Sequence, residues 1–294
     1  MNLCFFVSDL HGSRDRYQKL FDAIAIKKPA AVFLGGDLLP DLAPAQASHP
    51  QALHHNFIHG FLADTLNRLK QTMGESFPEL FIVMGNGDAR FLESSFLDIG
   101  TTGLWHYIHN RCIVWKDYTI YGYAFVPPTP LTLKDWERFD MACYTDPGCT
   151  PPSSGIHTVP LSQFEIECAT IQHDLKQLTN GQNLSKSIFL FHTPPYQTAL
   201  DRAALDGIQV DYVPLDVHVG SVAVKRLIQH HQPLITLHGH IHESPRLTGQ
   251  WRDSIGSTAL FSAAHDGPEL SLIEFDPEAP EKATRQLLQK NPLK

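Results

Sequence analysis

The sequence predicts an α/β fold, a layered sandwich of mixed β-sheets with helices between the strands. Five short apolar runs, at residues 3–7, 31–34, 80–84, 187–191 and 234–237, are rich in Phe, Val, Ile and Leu. They are continuous rather than alternating, as in strands covered on both faces. Amphipathic helical segments lie between them, and paired runs within 112–124 and 258–275 read as antiparallel strands. Strand–helix alternation with added hairpins indicates α/β layers built on mixed sheets.

Each element has its own warrant. After the first run, a helix over 13–27 carries Tyr17, Leu20, Phe21 and Ile24 at helical spacing. A second helix is predicted over 53–73. Residues 112–115 and 119–124 flank Lys116-Asp117-Tyr118 as a hairpin. A helix over 164–178 follows a capping box of Ser162 and Glu165. Another, over 221–231, carries Val222, Val224, Leu227 and Ile228 behind Ser221 as N-cap. Runs 258–263 and 270–275 flank a turn containing Asp266-Gly267-Pro268. Residues 127–160 are the one long irregular stretch, with prolines at 127, 128, 130, 147, 151, 152 and 160. A loop that long in a compact domain is functional or disordered. Motifs lie on both sides of it, so residues 1–276 read as one domain. A polar tail, 277–294, follows, with a short helix over 281–289.

At 294 residues and 43% hydrophobic, the chain can bury a substantial core. Only 18% of residues are charged, and the composition is not that of a disordered chain. A net charge of -8 gives no general attraction to nucleic acid. The five cysteines, Cys4, Cys112, Cys143, Cys149 and Cys168, form no CxxC pair, and their odd count suits a reducing compartment. The N-terminal run meets Asp9 too soon for a signal peptide. No run reaches the roughly 18 apolar residues of a membrane span. A cytoplasmic protein without membrane association is expected, and no sequence feature fixes an oligomeric state. Histidine is the outlier, at 17 residues. His54, His55 and His59 read as a solvated face, and His230-His231 as the cationic end of a helix.

Every strand-like run ends in a polar motif. In order these are Asp9-Leu10-His11-Gly12, Gly36-Asp37, Gly85-Asn86-Gly87-Asp88, His192-Thr193-Pro194 and Gly239-His240-Ile241-His242. Ligands collect beyond the carboxyl ends of strands in open α/β sheets. Asp9, His11, Asp37, Asn86, His192, His240 and His242 are too many donors for one ion, and suit two if a carboxylate bridges. Imidazole with carboxylate and amide oxygen fits Zn, Fe, Mn or Ni, and the absence of cysteine argues against a structural zinc site. Two dications (+4) with two aspartates (-2) leave about +2, a local field that attracts phosphate.

The order Asp-x-His, Gly-Asp, Gly-Asn-x-Asp, His, Gly-His-x-His resembles the calcineurin-like metallophosphoesterases, over residues 9–242. The resemblance implies a four-layer αββα sandwich, two mixed β-sheets face to face with helices outside, and a dinuclear site at one edge. It implies Asp9, His11, Asp37 and His242 on a first metal, Asp37 bridging, and Asn86, His192 and His240 on a second. Asp37, Asn86, Asp88 and His192 would form the catalytic core, with Asp88 orienting a ligand. A metal-bridging hydroxide would attack phosphorus in line. Manganese or iron is expected first, with zinc, nickel, cobalt or magnesium also compatible.

The chain departs from the family pattern at Gly87. Many members carry His there, in Gly-Asn-His-Asp or Gly-Asn-His-Glu, to stabilise the phosphate or protonate the leaving group. Loss of a general acid costs about 10²–10⁴-fold on poor leaving groups. Members lacking this His include bacterial and archaeal phosphodiesterases. The expected substrate is therefore a small phosphate ester, diesters before monoesters. Arg90 is a candidate for a phosphate oxygen, His157 and His218 for a replacement acid, and His265 for the site lining. The helix opening at 218–221 offers backbone N–H groups to an anion. Residues 218–243 are similar to a group of small prokaryotic metallophosphoesterases, whereas residues 261–265 lack the Asn-Pro-Gly common in the family. Two alternatives stay open: a nuclease, with nucleic acid only as substrate, which low basicity disfavours, and a metal-binding scaffold for a partner.

Overall fold

The computed structural model describes residues 2–40 and 55–289. The chain begins with β1 (Cys4–Val7), α1 (Arg14–Lys27), β2 (Ala31–Gly35), α2 (Asp64–Met73), β3 (Glu79–Val83) and α3 (Glu93–Gly100). It continues through β4 (His106–Tyr107), β5 (Arg111–Trp115), β6 (Tyr118–Tyr123), α4 (Gln163–Glu167), α5 (Ile171–Leu178) and β7 (Ser187–Phe191). Next come β8 (Gln209–Val210), β9 (Val213–Pro214), α6 (Val222–His231), β10 (Ile235–His238) and α7 (Ser244–Thr248). The described part ends with β11 (Arg252–Ile255), β12 (Thr258–Ser262), β13 (Leu270–Phe275) and β14 (Thr284–Leu288).

Two six-stranded mixed sheets result, ordered β14-β13-β1-β2-β3-β4 and β11-β12-β10-β7-β6-β5. Strands β1, β2 and β3 are parallel, as are β6, β7, β10 and β12, and antiparallel strands extend each sheet. The sheets meet face to face: Phe81 of β3 lies 6.1 Å from Trp115 of β5, and Phe261 of β12 lies 5.8 Å from Phe275 of β13. Every residue of β1, β2, β7 and β10 is buried, which explains their largely apolar sequence. Helix α1 packs Tyr17, Leu20, Phe21 and Ile24 inward, with Ser13 as N-cap accepting from the Arg16 N–H. The predicted α/β class, with two mixed sheets flanked by helices, is the one observed.

Several local expectations change. The helix expected over 53–73 winds through a π-helical turn at Ile58–Ala63 before α2. His55 and His59 stack on its exposed side, 4.2 Å between rings, while His54 lies outside the described residues. The helix expected over 164–178 breaks into α4 and α5. Phe139 and Asp140 carbonyls capture the Ile171 and Gln172 N–H groups, so α5 starts afresh behind Thr170. The capping box of Ser162 and Glu165 is present. β5 and β6 form the expected hairpin. β12 and β13 do not pair with each other; β12 lies beside β10 in one sheet and β13 beside β1 in the other. Their apolar pattern marks both as buried and says nothing of which sheet takes them. Residues 284–288 form the edge strand β14 rather than a helix, because pairing with β13 overrides weak local preference.

The 127–160 segment is irregular yet packed. Trp136, Lys134 and Asp135 are fully buried within it. Lys134 pairs with Glu137 inside the fold. Burial lifts the Glu137 carboxyl to about 7, with Lys134 and Thr129 pulling it down. All five cysteines are free thiols. Among the described residues no helix is long and apolar enough to cross a membrane.

Candidate metal centre

The parallel strands deliver their motifs to one edge. Asp9 and His11 follow β1, Asp37 follows β2, Asn86 and Asp88 follow β3, His192 follows β7, and His240 and His242 follow β10. Backbone bonds knit these turns together. Asp9 N–H donates to Gly36 O at 2.9 Å, His11 N–H to Asp37 O at 2.8 Å, and Gly239 N–H to His192 O at 2.9 Å. The His240 N–H donates to the Asp9 carboxylate at 3.1 Å. Glycine is required where the turns touch. A Cβ at Gly85 would stand 2.3 Å from Asp37 Oδ1, and one at Gly239 2.6 Å from Ser8 Oγ.

Asp9, His11, Asp37 and His242 each present a donor atom within 4.8 Å of the others. His242 Nε2 is 3.2 Å from Asp9 Oδ1 and 3.3 Å from His11 Nε2. A second group adjoins them: His192 Nε2 lies 3.1 Å from Asn86 Oδ1, and the His240 ring packs 5.1 Å from the His192 ring. Asp37 stands between the groups. Its Oδ2 faces His11 Nε2 at 3.8 Å, and its Oδ1 faces His192 Nε2 at 3.5 Å. The His192 Nδ1–H donates to Gly35 O at 2.7 Å, which leaves Nε2 as the donor nitrogen turned toward the cluster. Two carboxylates, imidazole nitrogens and an amide oxygen, held this close, fit borderline divalent cations.

The electrostatics agree with cation binding. Burial raises the carboxyl of Asp37, but His192 outweighs it and the group settles at about 2. Asp9 is likewise pushed up by burial and held below its ordinary value by His242. Burial disfavours charge on His192, yet Asp37 and Asp9 lift it to about 9. Burial first, with His192 adding, lowers His240 to about 3. The buried carboxylates thus draw positive charge onto His192 and His242, and a dication would meet the same field.

The remaining candidates are placed as follows. Asp88 accepts from the N–H groups of Leu38, Leu39 and Gly85 at 2.8–3.1 Å, so it holds the Asp37 turn through backbone rather than a side chain. Burial raises it to about 7, with Asp37 adding to the shift. Arg90 lies 3.6 Å from Glu93 and over the Trp136 ring at 5.1 Å. His157 Nε2 bonds Pro152 O, His218 Nδ1 bonds Asp201, and His265 Nε2 bonds Glu269. The helix opening at Ser221 is taken by the protein itself: the Val222 N–H and the Ser221 hydroxyl donate to Asp140 of the long loop. Sequence reasoning missed three supports. Ser8 donates to Asp9, Arg16 donates to the carbonyls of Asp9 and Gly267, and Asp201 anchors His218. Ser8 adjoins a motif and was within reach; Arg16 and Asp201 carry no local signature.

Fold and site together define a metal-dependent phosphoester hydrolase. A family model described as calcineurin-like phosphoesterase matches residues 4–244, and the chain belongs to that family. One solved chain superimposes with TM-score 0.58 at 17% identity, covering 98% of this chain and 99% of its own. The TT1561 protein of Thermus thermophilus gives 0.54 at 18% identity, with 98% and 99% covered. The phosphopantetheinyl hydrolase of Mycobacterium tuberculosis gives 0.52 at 11% identity, with 89% of each chain covered. At these identities the likeness concerns the fold. A comparison with curated proteins returns no significant match.

Proposed function

We propose that the protein is a dinuclear phosphodiesterase, with Asp9, His11, Asp37 and His242 holding one divalent cation and Asn86, His192 and His240, with Asp37, the other. The observation that carries this reading is the division of Asp37, one oxygen facing His11 and the other His192. Two cations so placed would supply an activated water and polarise the phosphoryl oxygens. Manganese or iron suits the donor set best. The chain's own residues set the geometry. The Gly87 N–H donates to Asp37 Oδ1 at 2.7 Å and fixes the shared carboxylate. Asp88 clamps the turn behind it. Position 87 has no side chain to protonate a leaving group, which favours activated esters and diesters over alkyl monoesters.

The test compares bis-p-nitrophenyl phosphate with p-nitrophenyl phosphate under added manganese, alongside metal analysis. Faster turnover of the diester, lost on chelation and in Asp37→Ala, is expected. Equal or faster turnover of the monoester removes the diester preference. Two metals per chain with neither ester hydrolysed would favour a binding scaffold instead.

A further inference from the structure

The loop joining β7 to α6 carries a second built feature, an aspartate–histidine pair outside the metal cluster. Asp201 is wholly buried and accepts from the N–H groups of Gln197 at 2.8 Å, Thr198 at 2.9 Å and Gly220 at 3.1 Å. His218 Nδ1 completes its shell at 2.8 Å. Three backbone donors already satisfy the buried carboxylate, so the imidazole is not needed to keep it there. The bond makes Nδ1 the protonated nitrogen at the Asp201 side and turns Nε2 outward. His218 Nε2 has no hydrogen bond to any described residue, and the side chain is 30% exposed.

The segment that carries His218 is fastened to the turns that follow His192 and His242. The Ser221 N–H donates to Pro194 O at 2.9 Å and Pro195 pairs with Ser221, fastening the segment to the turn that follows His192. Across an antiparallel bridge His218 faces Arg202. The Arg202 N–H donates to Ser244 Oγ at 3.0 Å, and the Ala204 N–H to Glu243 Oε1 at 3.1 Å, just beyond His242. The other charged or titratable neighbours are engaged elsewhere. Asp216 takes the Tyr196 hydroxyl and the His218 N–H, and the Arg202 guanidinium is spent on Asp206 and Ala203 O.

We propose that His218, positioned by Asp201, is the proton donor to the leaving group, supplying from another loop what Gly87 lacks. The inference rests on the hydrolase reading above. As the water oxygen forms its bond to phosphorus, the bond from phosphorus to the ester oxygen breaks. That oxygen takes the Nε2 proton of the doubly protonated His218 ring, which keeps its Nδ1–H on Asp201, and departs as an alcohol. The neutral imidazole regains a proton from solvent, and the proton released by water passes to solvent. His218 is then a catalytic residue and Asp201 a positioning residue.

The experiment uses the manganese-loaded protein and a series of phosphodiesters with leaving groups from p-nitrophenol to simple alcohols. His218→Ala is expected to lose about 10²–10⁴-fold on the alcohol esters and little on the p-nitrophenyl ester, with free imidazole restoring part of the loss. His218→Gln serves as a second variant, and metal content checks that each site is intact. Nitrogen–proton correlation of His218 gives a readout independent of turnover: an Nδ1-bonded proton in the wild type, lost in Asp201→Asn. A loss equal for all leaving groups, or none on alcohol esters, overturns the inference while leaving the hydrolase reading in place. Absence of turnover by the wild type removes both.

Discussion

Gly85 and Gly87 sit two residues apart and should respond oppositely to the same added methyl group. A Cβ at Gly85 would stand 2.3 Å from Asp37 Oδ1, 2.5 Å from Asp37 N and 2.6 Å from His192 Nε2. Carbon needs roughly 3.5 Å, so two donor-bearing groups, one through its backbone, must each retreat by about 1 Å. Overpacking of that kind costs about 1–3 kcal/mol, and the displaced atoms are those proposed to share the cations. At Gly87 the three atoms nearest the added carbon would be those of the Asp37 carboxylate, at 3.1–3.3 Å. A shift of a few tenths of an ångström relieves that, and about 0.4–1 kcal/mol returns from restricting the unfolded chain. Unfolding in urea with chelator should place Gly85→Ala about 1–3 kcal/mol below wild type and Gly87→Ala within about 1 kcal/mol of it. Elemental analysis should show metal lost from the first variant and kept by the second. Full metal loading of Gly85→Ala at wild-type stability, or equal damage from Gly87→Ala, would refute the close-approach argument.

Three further outcomes are expected. Asp88→Ala strands the N–H groups of Leu38, Leu39 and Gly85, and at about 1–3 kcal/mol for a buried unsatisfied group should lower stability by about 3 kcal/mol or more in urea unfolding; a loss under about 1 kcal/mol contradicts the clamp. Asp140→Ala removes the acceptor at the start of α6 and should cost about 1–2 kcal/mol, with faster proteolysis inside residues 127–160 read by mass spectrometry. His238 is buried, and burial holds it at about 3 against an opposing bond to Thr193 O. Its folded value lies below its unfolded one of about 6.5, so the native state binds fewer protons. The stability this contributes is present above pH 6.5 and lost as pH falls toward 3, by about 2 kcal/mol at pH 5. Urea midpoints at pH 8 and pH 5 should differ by that much less in His238→Gln, and an unchanged difference rejects the assignment.

Much of the fold was legible because β1, β2, β7 and β10 are buried throughout and so are dominated by apolar residues, with only Ser187, Thr236 and His238 as buried polar exceptions. The same constraint made the motifs visible, since each polar cluster marks where a buried strand reaches the edge. What stayed hidden depends on partners distant in sequence. α5 begins where it does because Phe139 and Asp140 capture its first N–H groups. β14 is a strand because β13 offers it an edge. β12 and β13 look like a hairpin in sequence and belong to different sheets, since apolarity reports burial and not neighbour. Arg16 and Asp201 act on motifs through backbone carbonyls or through another side chain, and neither role leaves a trace in local composition.

The backbone at the site gives an argument independent of motif order. Asp9, His11, Asp37 and His240 have φ of 55°, 44°, 51° and 73°, in the left-handed region. An ordinary side chain costs about 1–2 kcal/mol there, and Asp and His are among the better tolerated, so the four together hold at most roughly 4–8 kcal/mol of strain. Glycine at those positions would relieve it, and the chain uses glycine freely beside them, at Gly12 and Gly36, which also have positive φ. The strain is sustained by cross-bonding between turns: Asp9 and His11 N–H groups to the Gly36 and Asp37 carbonyls, the Gly12 N–H to Leu38 O at 3.0 Å, and the Asp88 carboxylate beneath. Strained side-chain-bearing residues cluster where their side chains act. These four are among eleven described non-glycine residues with positive φ, and each of the four carries an oxygen or nitrogen able to bind a metal at the edge where the turns converge.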